Sequence, residues 1–159
     1  MSYLEKQVDA LMRLCVAEEN VDKERLRQEV KRMLQLRKHG GMDPEQETRN
    51  ILLELGAPDH LVGHPYVIRA ILLVVEDQLY INHITFGLYP QLAVEFDTTP
   101  ARVERAIRHL IEVTWVRGDI DVLDKYFGNT ISASRGKPTN GEFIARMANV
   151  IRQRLREAA

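Results

Sequence analysis

Arg102, Glu104, Arg105, Arg108, His109 and Glu112 share one short stretch with Val103, Ile107, Leu110 and Thr114. The second set recurs at helical spacing, so the charged set projects elsewhere, on a helix with a basic outer face. A short helix and a tight turn come just before it. Pro90 suits the first turn of a helix, where a missing N–H costs nothing, and Leu92, Ala93 and Phe96 fall on one face. Asp97-Thr98-Thr99 then interrupts the pattern with side chains that hydrogen-bond locally. Thr99 can cap the next helix and Pro100 can open it. Helix, brief turn and basic helix over residues 88–118 is the arrangement of a helix-turn-helix, whose second helix enters the major groove of DNA. The same residues admit a plainer reading. Glu104 and Arg108, and Arg108 and Glu112, stand four apart. Such pairs stabilise a solvated helix by roughly 0.2–0.5 kcal/mol with no ligand at all.

Other chemistry is poorly served. His60 and His64 have the spacing of a helical metal pair, but Gly63 and Pro65 argue against a helix there and no third ligand is evident. Cys15 falls on an apolar stripe, which favours packing over nucleophilic work. His83 and His109 have no serine or cysteine nearby, and no glycine-rich phosphate loop occurs. No catalytic residue, metal site or cofactor is expected.

A chain of 159 residues fits one domain plus an extension and can bury a core without staples. A single cysteine rules out an intramolecular disulfide and fits a reducing cytoplasm. No signal peptide is visible. The apolar run at residues 67–75 is interrupted by Arg69 and too short to span a bilayer. The net charge of −1 hides a division. Residues 1–42 hold nine Lys/Arg against seven Asp/Glu, residues 43–97 two against nine, and residues 98–159 eleven against seven. Positive charge therefore gathers in the basic helix and beyond it, which suits a polyanion more than the pI of about 6.5 suggests.

The elements that must hold that helix read as helices throughout. Residues 2–18 form an amphipathic helix along Leu4, Val8, Leu11, Met12 and Cys15, and residues 23–39 a second with Leu26, Val30, Met33 and Leu34 in its seam. Gly40-Gly41 ends it. Asp43-Pro44 opens a helix lined by Ile51, Leu52 and Leu55, which Gly56 and Pro58 stop. His64-Pro65 opens another, apolar on nearly all sides through Val67, Ile68, Ile71, Leu72 and Val75, and expected at the centre of the core. A turn or short helix covers residues 80–87. Gly118 suits the C′ position of the basic helix. Asp119 or Asp121 caps a short helix ending at Tyr126-Phe127-Gly128. After a polar loop, Thr139 or Asn140 caps the last helix, with Phe143, Ile144, Met147, Val150, Ile151 and Leu155 inward and Arg146, Arg152, Arg154 and Arg156 on the remaining surface. The fold class is all-α. Strand signals are confined to runs such as 80–84 and 129–132.

The segment RVERAIRHLIEVTWVRGDID, with LYPQLA before it and KPTNGEFIA after it, resembles the effector domain of the master regulator of sporulation initiation. That family comprises response-regulator transcription factors of spore-forming Firmicutes. The resemblance runs from about residue 48 to about 154. It implies an all-helical domain that binds double-stranded DNA. The family's arginine–valine–glutamate–arginine run supplies base contacts, which places base reading on Arg102, Glu104 and Arg105. Arg can bond two acceptors on a guanine edge and Glu can accept from a cytosine amine, as a G/C-containing heptamer requires. Thr99, Arg108 and His109 fall near the backbone or flanking edges. The family's KPTN loop, here Lys137-Pro138-Thr139-Asn140, lies close to the DNA backbone, so Lys137 and Arg135 are candidate phosphate contacts. Ala101 stands where the family tends to have serine, which removes a hydroxyl from that set. The stretch that contacts the sigma subunit of RNA polymerase in the family corresponds to residues 118–127. Gly118, Ile120, Asp121 and Phe127 match it, while Val122 and Asp124 replace serines.

The resemblance also implies a receiver domain ahead of the effector domain. Residues 1–42 show neither alternating strands and helices nor an acidic pocket, so control by aspartyl phosphorylation is not expected. They read instead as a helical hairpin that dimerises, packs on the core or binds another protein, with residues 43–159 as the effector domain. The resulting expectation is a sequence-specific transcription regulator, homodimeric on DNA and not membrane-bound. The alternative is a protein-interaction module that binds another regulator or RNA polymerase through the hairpin, with little specific DNA binding.

Overall fold

The computed structural model describes residues 23–38, 40–128 and 136–159. The predicted helix over residues 2–18, with Cys15, lies outside them, as does Arg135. The chain divides into two compact units, Met1–Asp43 with Ala158–Ala159, and Pro44–Glu157. In the first, α1 spans Lys23–Lys38. Of the predicted seam, Met33 is buried, whereas Val30 and Leu34 are 43% and 61% exposed.

In the second unit, every regular element among the described residues is helical. The order is α2 (Pro44–Glu54), α3 (Gly63–Glu76), a 3₁₀ turn (Gln78–Asn82), a π-helical turn (Ile84–Leu88), α4 (Tyr89–Glu95), α5 (Pro100–Arg117), α6 (Ile120–Phe127) and α7 (Asn140–Ala158). The strand signal at residues 80–84 is overridden by these two turns. Asp77 caps the first of them by accepting from Leu79 N at 3.0 Å.

α3 is the core helix. Val67, Ile68, Ala70, Ile71, Leu73 and Val74 are all buried, and its most extensive packing is against α5. The crossing is close because Gly63, in the first turn of α3, has no side chain. A Cβ there would lie 2.2 Å from the Ala106 carbonyl oxygen of α5. The helix begins one residue before the predicted His64-Pro65. His64 is buried and its imidazole is held below the usual value by desolvation, while His60 is exposed.

Two glycines near the end of α5 act differently from each other. Gly56 takes a positive φ of 79° and closes α2 with paired bonds, Ala57 N to Leu52 O and Gly56 N to Leu53 O. Gly118 was expected at a C′ position, which favours a left-handed backbone. It is instead the extended C-cap, φ −67° and ψ 153°. Its value is space, since a Cβ there would lie 2.6 Å from the Leu55 carbonyl oxygen.

α7 is fixed by a capping box. Thr139 Oγ1 accepts from Glu142 N at 3.2 Å, and Thr139 N donates to Glu142 Oε2 at 3.0 Å. Phe143, Ile144, Met147, Ile151 and Leu155 are buried as predicted, and Val150 is half-buried. Phe143 stacks on Phe127 with ring centroids 5.3 Å apart, and Trp115 closes edge-on at 5.0 Å from Phe127.

Gly63→Ala should destabilise the domain by about 1–3 kcal/mol. The clash with a backbone carbonyl outweighs a helix-propensity gain of at most about 1 kcal/mol. Urea unfolding monitored by circular dichroism measures this, and an unchanged or raised midpoint would show that α3 and α5 do not meet there. Acid stability supplies a second check. Arg69 Nε and Nη2 donate to the two carboxylate oxygens of Glu95 at 2.7 and 3.1 Å, and these bonds hold Glu95 below the ordinary carboxylate value of 4.5. The stabilisation is therefore present above about pH 4.5 and is lost as pH falls through the depressed folded value. Thermal midpoints should fall less steeply below that pH in Glu95→Gln than in the parent, and parallel curves would remove Glu95 from the acid response.

Candidate nucleic-acid interface

The exposed face of α5 owes its position to the turn before it. α4 ends in a left-handed cap at Asp97, φ 50°, with Thr98 N donating to Ala93 O at 2.9 Å and Asp97 N to Val94 O at 3.4 Å. This position usually takes glycine; aspartate is among the few side chains that tolerate it. The break predicted at Asp97-Thr98-Thr99 is thus a backbone device rather than only a cluster of local side-chain bonds. Thr99 then caps α5, its Oγ1 accepting from Arg102 N at 3.3 Å, and Pro100 is the first helical residue. The bidentate Arg69–Glu95 pair ties α4 to α3. The face of α4 and α5 turned inward is Leu92, Ala93, Val103, Ile107, Leu110, Ile111 and Thr114, all buried.

Outward from α5 stand Arg102, Arg105, Arg108 and His109, all exposed, and Glu104, half-buried. Among the described residues, no ion pair holds Arg102 or Arg105. Arg108 is engaged: its Nη1 donates to Glu104 Oε1 at 2.9 Å. Lys137 Nζ reaches across from the turn before α7 to Glu112 Oε1 at 3.2 Å. Asn140 joins the same turn to the helix-turn-helix, donating through Nδ2 to the Glu104 carbonyl and to Tyr89 Oη, both at 3.0 Å. Burial pushes the Tyr89 phenol up, so it stays a neutral hydroxyl. Between these elements lies a groove of about 570 Å³ with Ile84, Tyr89, Ile111 and Pro138 within it and Glu104, Arg108, Glu112 and Lys137 among its charged lining.

Three arginines of the basic C-terminal third are occupied elsewhere. Arg146 Nε donates to the Tyr126 carbonyl at 2.6 Å. Arg152 donates to the Val74 and Val75 carbonyls at the C-terminus of α3, where a cation also suits the helix dipole. Arg154 pairs with Glu47 and donates to Tyr126 Oη at 2.9 Å. Tyr126 in turn donates to Glu54 Oε2 at 2.7 Å, and this bond, with that from Lys125, holds the Glu54 carboxyl below its usual value. Arg146, Arg152 and Arg154, predicted on the remaining surface, are clamps between helices, whereas Arg156 is exposed as predicted. Sequence reading could not find this, because the partners lie 20 to 107 residues away.

The segment matched to a polymerase contact separates by burial. Ile120 is 79% exposed and Asp121 is exposed at the first turn of α6. Gly118 is half-buried in its seam, and Phe127 is 1% exposed within the aromatic core, so Phe127 can shape that surface only by packing α6. Val116, 86% exposed just before Gly118, is an apolar neighbour that helical periodicity did not single out. Among the described residues, no group of three His, Cys, Asp or Glu side chains is placed to hold a metal, and no helix is long and apolar enough to cross a membrane.

A short helix, a left-handed turn and a capped second helix with an exposed basic face define a helix-turn-helix protein of the DNA-binding class. The family model described as "Sporulation initiation factor Spo0A C terminal" matches residues 48–151, and the chain belongs to that family. Its members are DNA-binding transcription regulators, and double-stranded DNA is accordingly the partner of this domain.

Proposed function

We propose that this protein regulates transcription by reading a short G/C-containing box through Arg102, Glu104 and Arg105. The observation that carries this reading is the contrast among its arginines. Arg146, Arg152 and Arg154 are spent on internal bonds, whereas Arg102 and Arg105 stand exposed at the N-terminal end of α5 with no ion pair among the described residues. That end of a recognition helix is the part that meets base edges. Thr99, Arg108, His109 and Lys137 flank it and take the DNA backbone. Arg135 belongs to the same set by its place in the sequence, beside the Lys137 turn.

Regulation within these 159 residues does not use aspartyl phosphorylation on this reading, since α1, ahead of the family match, is a helix bearing an apolar seam. The exposed Val30 and Leu34 in that seam support a homodimer on DNA. They equally favour the second reading, a module that binds another regulator or RNA polymerase through this region. Exposed Ile120 and Asp121 are the surface proposed for the sigma subunit.

The test is Arg105→Ala in a binding selection from randomised duplexes. One bidentate base contact is worth about 1–3 kcal/mol, so affinity for the selected box should fall by that amount and preference should relax at one base position. An unaltered selection profile would remove Arg105 from the readers.

A further inference from the structure

α1 carries more positive charge than a solvated helix needs. Its 16 residues hold seven Lys/Arg against two Asp/Glu. Over residues 25–34, the exposed polar side chains are Arg25, Arg27, Gln28, Lys31 and Arg32, which are four cations and no carboxylate. Glu29, the one acid in that stretch, is half-buried. Arg32 is held loosely, with Nη1 3.5 Å from Glu29, Nη2 3.7 Å from Asp43 and 54% of its side chain exposed. Among the described residues no ion pair holds Lys31. No carboxylate stands three or four positions from Lys31 along the helix, whereas Arg27 does. Solvated helices are steadied by opposite charges at that spacing, and like charges oppose them. The Arg27–Lys31 spacing thus works against α1 as a free helix. By helical spacing Gln28 and Lys31 lie opposite buried Met33, so the cationic face is not the apolar seam.

We infer that this face of α1 is a second DNA-contacting surface, which holds the phosphate backbone whatever the sequence, with Lys31 and Arg32 as phosphate contacts. The inference goes beyond the base reading proposed above, and nothing in it depends on which residues of α5 perform that reading. The occupant follows from charge and from the family. Double-stranded DNA is the partner of the domain that follows α1, and exposed Lys and Arg side chains are what its phosphates attract. Residues 39–43 tether α1 to α2, so the helix stays near any duplex that the domain holds. The exposed Gln28 amide supplies a further donor for a phosphate oxygen. α5 offers a contrast, because its Glu104 and Glu112 offset Arg108 and Lys137. Sequence-independent attraction therefore falls to α1. Each phosphate so neutralised releases counterions, which makes the contribution measurable as a salt dependence.

The experiment measures affinities of the full chain, K31Q, the K31Q/R32Q variant and R49Q for a box-containing and a scrambled duplex, each over a range of salt. Arg49 is exposed on α2 and paired with Glu45, so R49Q removes the same charge from outside the proposed surface. K31Q should lower the slope of log affinity against log salt by about 0.9, and the double variant by about 1.8, one contact for each cation. R49Q should keep the parent's slope. The ratio of affinities for the two duplexes should be the same in all four proteins, since phosphate contacts position without specifying. The thermal midpoint of K31Q should equal or exceed the parent's, because a like-charged neighbour is gone, so its weaker binding is not unfolding. Parental slopes in both α1 variants, or an equal fall in R49Q, would overturn the inference. A double variant that keeps its slope on DNA yet loses binding to vesicles of phosphatidylserine and phosphatidylcholine would overturn it too, and make α1 a membrane-facing helix. Equal binding of both duplexes by the parent contradicts the base reading alone, and the variant slopes still decide α1.

Discussion

The approach of Gly63 to the Ala106 carbonyl sets the distance between α3 and α5, and the surface proposed to face DNA depends on that distance. α3 is apolar enough to be buried on most sides, so it cannot shift toward solvent to accommodate a larger residue. α5 is thereby held with Val103, Ile107 and Leu110 inward, and its charged side chains have no choice but to face out. The second fixed point is Asn140, whose amide bonds the α5 backbone at Glu104 and the hydroxyl of Tyr89. These two contacts fix the backbone of α5, and on the proposed reading recognition is left to its side-chain torsions.

Charge is divided between holding the domain together and the surface proposed to face DNA. The excess of basic residues after residue 97 suggests a broad cationic surface, but much of it is internal. Arg152 closes the exposed carbonyl end of α3, and Arg154 links Glu47 with Tyr126. Guanidinium groups suit this work because several donors can satisfy carbonyls on a neighbouring element at once. What remains outward includes a set on α5 and the turn before α7, beside exposed Lys125 on α6 and Arg156 on α7. Two of its cations, Arg108 and Lys137, are already paired with carboxylates of α5. On the proposed reading, these pairs restrain non-specific attraction to a polyanion and give specificity more weight than bulk charge.

Much of the domain was legible in the sequence because local rules and tertiary packing agree. Thr99-Pro100 opens α5 as capping chemistry requires, and the apolar spacing of α3, α5 and α7 matches their buried faces. The family resemblance around residues 102–121 agrees with the match over 48–151. Features set by distant partners were not legible. The clamp arginines read as surface residues because periodicity cannot reveal a carbonyl on another helix. Gly118 looked like a left-handed cap, yet its function is to admit the Leu55 carbonyl, a contact 63 residues away in the sequence. Asp97 gave no sign of a positive φ, since aspartate also forms ordinary local turns. Phe127 matched a contact segment by position while its side chain went to the core.

The most direct measurement is a titration of the unaltered protein, at physiological salt, against a duplex carrying the family's G/C-containing heptamer and a scrambled duplex of equal composition. Sequence-specific reading through α5 predicts a preference of about a hundredfold or more, which is modest for specific DNA binders. Equal and weak binding to both duplexes would contradict it, and would mean that the helix-turn-helix is retained as architecture while the protein acts through other surfaces.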